Sequence, residues 1–305
     1  MPFAVLKLHP LFAAEIRGAD LREPPSAELV ATVEAAMAAH AVVVLRDQLI
    51  SDEQQIRFSR AFGPLELPPH MGMPKSQRND MQRRIPAEMY DVSNLDTNGE
   101  LLPAASLKLA SNRANEEFHT DSSFNALPTK WSLLSARIVP PSGGDTLYVD
   151  TRAVYDALPD ALRAKAEDAV AEHWFWKTRG RAGMPITDDM RRAMPAVPQK
   201  IVRTIPESGR KALLIGNHAT HVLGWPKDEG ERFLEELNTF AAQPHFIYTH
   251  KWRAGDLVIW DNRCTLHRAT PYDVFTHKRD MRRTTINEHG PEISSTDALG
   301  IPQPE

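Results

Sequence analysis

His119-Thr120-Asp121 and, far downstream, His267 are the residues of this chain best suited to metal chemistry. Two imidazoles and one carboxylate can hold a ferrous ion on one face and leave the opposite face open. An ion held that way has room for a chelating cosubstrate and for O2, which a fully protein-ligated ion lacks. His119 and Asp121 are two apart, so in an extended segment both side chains reach the same side. An isolated H-x-D is weak, because single motif matches are usually structural. His267 alone would read as a hydrogen-bonded core histidine near the end of a strand, so the set gains weight only from its neighbours.

Arg279, Met281 and Arg283 alternate with Asp280, Arg282 and Thr284. In a strand Arg279 and Arg283 share a face. Surface ion pairs are the ordinary use of arginine. Turned inward, the planar guanidinium is the preferred partner of a carboxylate, and two such arginines imply two anionic ligands, a cosubstrate and a substrate. Thr146 and Trp260 taken singly are a strand threonine and a core tryptophan. His218 and His221 are a rival metal pair; their i,i+3 spacing suits a helix, yet residues 213–216 before them read as strand, which disfavours a metal there.

The elements that must carry these residues are short. Ser26 is an N-cap for a helix with Leu29, Val30, Val33 and Met37 on one face. Val42-Val43-Val44-Leu45 is a buried-strand pattern. Ser51-Asp52-Glu53-Gln54 is a capping box opening a helix with Ile56, Phe58 and Phe62. Residues 64–115 then lose periodicity and run directly into His119, which predicts an active-site lid. Strands follow at 131–139 and 146–149, a helical stretch at 152–173, paired strands at 201–204 and 212–215, and a helix at 227–243. Strands at 246–252, 257–260 and 281–286 close the chain. Helices early and in insertions, with strands to the end, fit a mainly β protein with a double-stranded β-helix (jelly-roll, cupin-like) core. The 305 residues are expected to form a single catalytic domain.

Net charge is -4 with lysine and arginine scattered, so composition makes no electrostatic case for nucleic acid or an anionic membrane. No signal peptide or membrane-spanning run is expected. The single cysteine, Cys264, excludes an intrachain disulfide and a cysteine-built zinc site. A cytoplasmic protein is the expectation.

In combination, His119-x-Asp121, Gly144-Asp145-Thr146, Trp260-Asp261-Asn262-Arg263, His267 and Arg279-x-x-x-Arg283 resemble the Fe(II)/2-oxoglutarate dioxygenases of the taurine/2,4-dichlorophenoxyacetate family. The likeness runs over residues 8–285. It is greatest to the 2,4-dichlorophenoxyacetate branch at Leu8-His9-Pro10-Leu11-Phe12-Ala13-Ala14, Pro140-Pro141-Ser142-Gly143-Gly144-Asp145-Thr146, Ser208-Gly209-Arg210-Lys211 and Gly216-Asn217-His218-Ala219. The resemblance implies His119, Asp121 and His267 as Fe(II) ligands, with 2-oxoglutarate chelating the iron and O2 taking the remaining position. It places the far carboxylate of 2-oxoglutarate on Arg279 and Thr146, and Trp260 beside it. Arg283 becomes a contact for the substrate anion or the cosubstrate, and His218 and the lid residue Lys75 become substrate contacts. Two features depart from the family: Ile205 follows Arg203-Thr204 where a histidine is frequent, and the segment between His267 and Arg279 is slightly longer than in the taurine enzymes.

The implied reaction is hydroxylation of a small anionic substrate, an aryloxyalkanoate first, giving a phenol and an oxo acid with succinate and CO2. A taurine or alkylsulfonate substrate is the alternative within the family. A zinc hydrolase on the same ligands, or a non-catalytic cupin-like binding protein, is the alternative in another class. A homo-oligomer is implied by the resemblance alone.

Overall fold

The computed structural model describes residues 3–67, 83–127, 129–181, 185–290 and 293–294. A large mixed sheet forms its centre. β1 (Ala4–Lys7), β2 (Ala14–Arg17), β3 (Val42–Leu45), β4 (Leu65–Leu67), β5 (Tyr90–Ser93) and β6 (Thr129–Ile138) all belong to it. A second, smaller sheet is built around β7 (Thr146–Asp150). β8 (Val170–His173), β9 (Val197–Lys200) and β12 (Ala219–Val222) make a third; β10 (Val202–Thr204) and β11 (Lys211–Leu213) form a hairpin. β13 (Ile247–His250) and β15 (Thr265–Ala269) flank β7, whereas β14 (Leu257–Asp261), β16 (Asp280–Asn287) and β17 (Ile293–Ser294) return to the large sheet.

Period-two alternation decides what each face of the large sheet does. Val43, Leu45, Trp131, Leu133, Leu257 and Ile259 face outward onto α1 (Ala27–His40) and α2 (Asp52–Arg60). Val42, Val44, Leu134, Val258, Trp260 and Met281 face inward and pack on Tyr148 and Tyr248 of the small sheet. Arg283, two residues beyond Met281, shares that inner face. The far side of the small sheet, through Val149 and Leu266, packs on α4 (Thr151–Ala157) and α8 (Lys227–Ala241). The two sheets thus form a mainly β body with helices on its outer faces.

The caps expected at Ser26 and Ser51 are present: Ser26 Oγ accepts from the Leu29 N–H, and the Ser51–Gln54 capping box is complete. Residues 152–173 do not form one helical stretch. Pro159 disfavours helical backbone at Leu158, so α4 stops, α5 (Asp160–Glu167) starts afresh, and residues 170–173 become β8, paired with β9 and β12. The aperiodic 64–115 segment also contains regular elements. β4 and β5 both pair with β16, and α3 (Leu107–Asn112) lies within it. Arg84 pins this segment through Asp91 at 2.7 Å and Asp280 at 2.7 Å. Short strands of polar residues carry little periodic signal, and their register comes from the strand they join. Lys75 lies outside the described residues. No helix among the described residues is long and apolar enough to cross a membrane.

Candidate metal centre and its two chambers

His267 sits in the middle of β15 rather than at a strand end, and β15 pairs with β7 so that His267 lies opposite Tyr148. Its backbone also bridges to His119, with N–H to carbonyl distances of 3.0 and 2.8 Å in the two directions. The two rings stand 4.2 Å apart between centroids. Chain direction changes straight after Asp121, because Ser122 adopts φ 56°. One ligand atom from each of His119, Asp121 and His267 lies within 4.8 Å of the other two, and no fourth histidine, cysteine or carboxylate joins the group among the described residues.

The neighbours set the protonation that a metal requires. Burial, opposed by Asp121, lowers the His119 pKa; burial and then His119 itself lower that of His267 further. Both rings are therefore held neutral. His119 Nδ1 lies 2.9 Å from the Glu117 carbonyl, which favours the tautomer that leaves Nε2 as a lone-pair donor. Burial would raise the Asp121 carboxyl, but Arg283 first, then His267 and His119 when they carry a proton, and the Ser132 hydroxyl, hold it far below the usual carboxylate range. Asp121 Oδ1 accepts from Arg283, and Oδ2 accepts from Ser132 Oγ at 2.8 Å, which in turn accepts from Asn262 Nδ2 at 3.0 Å. Two neutral imidazoles and an ionised carboxylate, uncapped on the remaining side, fit a divalent cation of the ferrous type.

Cavities open on both sides of this centre and share His119 and Arg283 in their walls. The first, about 380 Å³, is lined by Leu134, Thr146, Trp260, His267 and Arg279 among others. Trp260 packs on His267 with 4.8 Å between centroids, and Thr146 Oγ1 accepts from Trp252 Nε1 at 2.9 Å. Arg279 immediately precedes β16, its backbone N–H held by Asn94 Oδ1 at 2.8 Å. Its guanidinium is buried, donates to the Gly144 carbonyl at 3.4 Å, stands 5.9 Å from the Tyr272 ring centroid, and has no carboxylate partner among the described residues. Gly144 has φ +69°, and a Cβ there would come within 3.0 Å of Pro140 and 3.4 Å of Arg279 Nε.

The second cavity, about 260 Å³, is lined by Tyr90, Asp121, Phe124, Phe175, Arg179, His218 and Arg283 among others. His218 sits just before β12, buried, its ring 6.4 Å from His119 and 4.9 Å from Phe124. His221 diverges from it: half-buried, it bonds Thr220 Oγ1 at 2.9 Å. The two do not converge on one point, so the rival metal pair is set aside. Sequence reading missed Ser132, Glu66, Phe124, Phe175 and Arg179. Glu66 is buried and accepts from Tyr90 at 2.8 Å, Ser122 at 2.9 Å and Asn125 at 2.7 Å, bracing the loop that follows Asp121. Burial raises its pKa against the pull of Tyr90 and Ser122. None of these residues stands in a motif; only alternation along β6 could have pointed Ser132 inward.

Comparison with known proteins agrees with this geometry. The family described as "Taurine catabolism dioxygenase TauD, TfdA family" matches residues 4–285. The α-ketoglutarate-dependent 2,4-dichlorophenoxyacetate dioxygenase of Cupriavidus pinatubonensis is 43% identical over 282 residues, covering 92% of this chain and 96% of its own. The (S)-phenoxypropionate/α-ketoglutarate dioxygenase of Sphingobium herbicidovorans is 35% identical, covering 93% and 94%. The crystal structure of AAD-2 with Mn(II) and N-oxalylglycine superposes with a TM-score of 0.85 at 40% identity, covering 95% of this chain and 98% of that one. With a match of that extent enclosing all three donor residues, this chain belongs to the TauD, TfdA family and is a 2-oxoglutarate-dependent dioxygenase.

Proposed function

We propose that this dioxygenase hydroxylates an aryloxyalkanoate at the carbon joining the ether oxygen and the carboxylate, releasing a phenol and an oxo acid. The observation that carries the reading is the pair of chambers meeting at His119 and Arg283, one with a buried arginine beside Thr146, the other lined by Phe124, Phe175 and Tyr90. The first suits a small dianion, the second an aromatic acid. Relatives acting on 2,4-dichlorophenoxyacetate and phenoxypropionate add support.

His119, Asp121 and His267 would hold Fe(II), which when bound with 2-oxoglutarate activates O2 for oxidation of a C–H bond. Arg279 and Thr146 would hold the far carboxylate of 2-oxoglutarate by a fork-like guanidinium contact and a hydroxyl. Trp260 walls that chamber and keeps the His267 ring in place. Arg283 orients the Asp121 carboxylate and stands where the anionic ends of cosubstrate and substrate meet. His218, neutral through burial and then the nearby His119, lies on the substrate side. Lys75 belongs to the lid in this reading. We read the chain as one catalytic domain on a double-stranded β-helix core, acting as a cytoplasmic homo-oligomer.

The test is incubation with Fe(II), 2-oxoglutarate and a panel of aryloxyacetates, both enantiomers of phenoxypropionate, and alkylsulfonates. Phenol release matched by succinate is the expected result. Sulfite release without phenol would replace the reading with sulfonate oxidation, for which the taurine dioxygenase structure from Burkholderia xenovorans, 27% identical, offers the weaker likeness. Product formation under strict exclusion of oxygen and 2-oxoglutarate would instead point to a hydrolase.

A further inference from the structure

Arg279 stands at the end of the 270–279 connection, whose Tyr272, Asp273, Val274 and Phe275 wall the first chamber. β16 starts one residue later, at Asp280, and its register on β6 shifts between Asp280 and Met281. Opposite Arg279 is Asn94, the residue that follows β5, 1% exposed. Its side chain spans the connection. Nδ2 donates to the Val274 and His277 carbonyls, both at 2.8 Å, and Oδ1 accepts from the Arg279 N–H at 2.8 Å. The Asn94 N–H donates to the Arg279 carbonyl at 3.3 Å, and its carbonyl accepts from the Leu102 N–H at 3.0 Å.

A primary amide fits this place because one flat group offers two donors and an acceptor to two carbonyls and an N–H. Turned over, or replaced by aspartate, it would set an oxygen against two carbonyl oxygens. The near end of the connection is fixed separately: the Thr270 N–H donates to the Asp145 carbonyl at 2.8 Å, and the Gly144 N–H to the Pro271 carbonyl at 3.3 Å. Asn94 holds the far end, which carries Arg279. The guanidinium itself is weakly anchored, by the Gly144 carbonyl at 3.4 Å and the Tyr272 ring at 5.9 Å. Its aim therefore follows from its backbone. Asn94 lies outside the lining of both chambers.

We propose that Asn94 is a positioning residue for the cosubstrate: it aims Arg279 at the far carboxylate of 2-oxoglutarate and so sets the selection for a keto acid that carries a second carboxylate. This rests on the role given to Arg279 above.

Calorimetric titration of Mn(II)-loaded protein tests this without turnover. The ligands are N-oxalylglycine and N-methyloxamate, which lacks the far carboxylate. They are titrated into wild type, Asn94→Ala, Arg279→Met and the double variant. Asn94→Ala is expected to weaken N-oxalylglycine about tenfold, since small misplacements of a binding group are costly, and to leave N-methyloxamate unchanged. Arg279→Met is expected to weaken N-oxalylglycine roughly ten- to a hundredfold. The double variant is expected to bind it no worse than Arg279→Met, the mark of an effect that passes through Arg279. A merely structural asparagine would lower the melting temperature and spare this selectivity. Wild-type N-oxalylglycine affinity in Asn94→Ala, an equal loss of both ligands, or additive losses in the double variant overturns the proposal. The double variant decides alone if N-methyloxamate binds too weakly to titrate. Asn94→Asp, which keeps the shape and the acceptor for the Arg279 N–H, decides by the same measures if the alanine variant does not fold. Undiminished N-oxalylglycine affinity in Arg279→Met refutes instead the role of Arg279, and the proposal with it.

Discussion

His119 and His267, separated by most of the strand-forming half of the chain, exchange both backbone hydrogen bonds, at 3.0 and 2.8 Å. The bridge fixes the spacing of the two rings before any metal arrives. Preorganisation of that kind lets a ligand set bind without ordering itself first. Substitution of either ring is therefore expected to remove the metal and leave the backbone. His119→Ala is expected to abolish turnover and Fe(II) binding while its far-ultraviolet circular dichroism stays that of wild type. Full activity in the purified variant would remove His119 from the ligand set.

Asp121 differs, because Arg283 depends on it. Asp121→Ala is expected to abolish turnover and also to destabilise the protein by about 3–5 kcal/mol, since it strands a buried guanidinium. Adding Arg283→Met is expected to restore part of that stability and none of the activity. Urea melts of the two single variants and the double variant check this; strict additivity would mean the pair is not coupled.

Arg279→Met is expected to raise the KM for 2-oxoglutarate roughly ten- to a hundredfold through loss of a charged hydrogen-bond pair. The KM for the aromatic substrate is expected to move far less, because Arg279 lines only the first chamber. Steady-state kinetics with each substrate varied in turn separates the two. A change confined to the aromatic substrate would reverse the assignment of the chambers.

Gly216 packs against the metal-ligand segment. Its φ is +117°, and a Cβ would stand 3.1 Å from His119 Cα and 3.3 Å from the Phe118 carbonyl. Gly216→Ala is expected to cost about 1–3 kcal/mol in backbone strain and to weaken metal binding about tenfold or more by displacing His119. Metal titration followed by thermal melting reads both. Unchanged affinity with lower stability would show that the segment yields elsewhere.

Acid sensitivity follows from a buried histidine away from the centre. Burial first, then Lys177 and Arg203, lowers His173 to about 3. Its folded pKa lies below the ordinary 6.5, so the unfolded chain takes up a proton in this window and the folded chain does not. The contribution is intact above about 6.5 and is lost as pH falls toward 3, at up to about 1.4 kcal/mol per pH unit. His173→Leu is expected to flatten the fall in melting temperature over that window relative to wild type. An unaltered slope would assign the sensitivity to other groups.

The donor types, their order and the sharing of one strand face by two arginines were legible in the chain itself, because H-x-D, the later histidine and R-x-x-x-R are local patterns whose chemistry depends on residue type; that this arginine face turns inward was not. Strong periodic elements were legible for the same reason: the helix capped by Ser26, the capping box at Ser51 and the valine-rich β3 each specify themselves locally. Tertiary structure alone decided the remainder. β4, β5 and β8 are too short and polar to announce themselves, and exist because β16, β9 and β12 offer free edges. Arg283 points at Asp121 and Arg279 at open space only once β16 is in register with β6. Asn94 and Glu66 belong to no motif, and their roles come from what is buried around them. Burial and pairing across long separations are properties of the folded surface and have no period in the sequence.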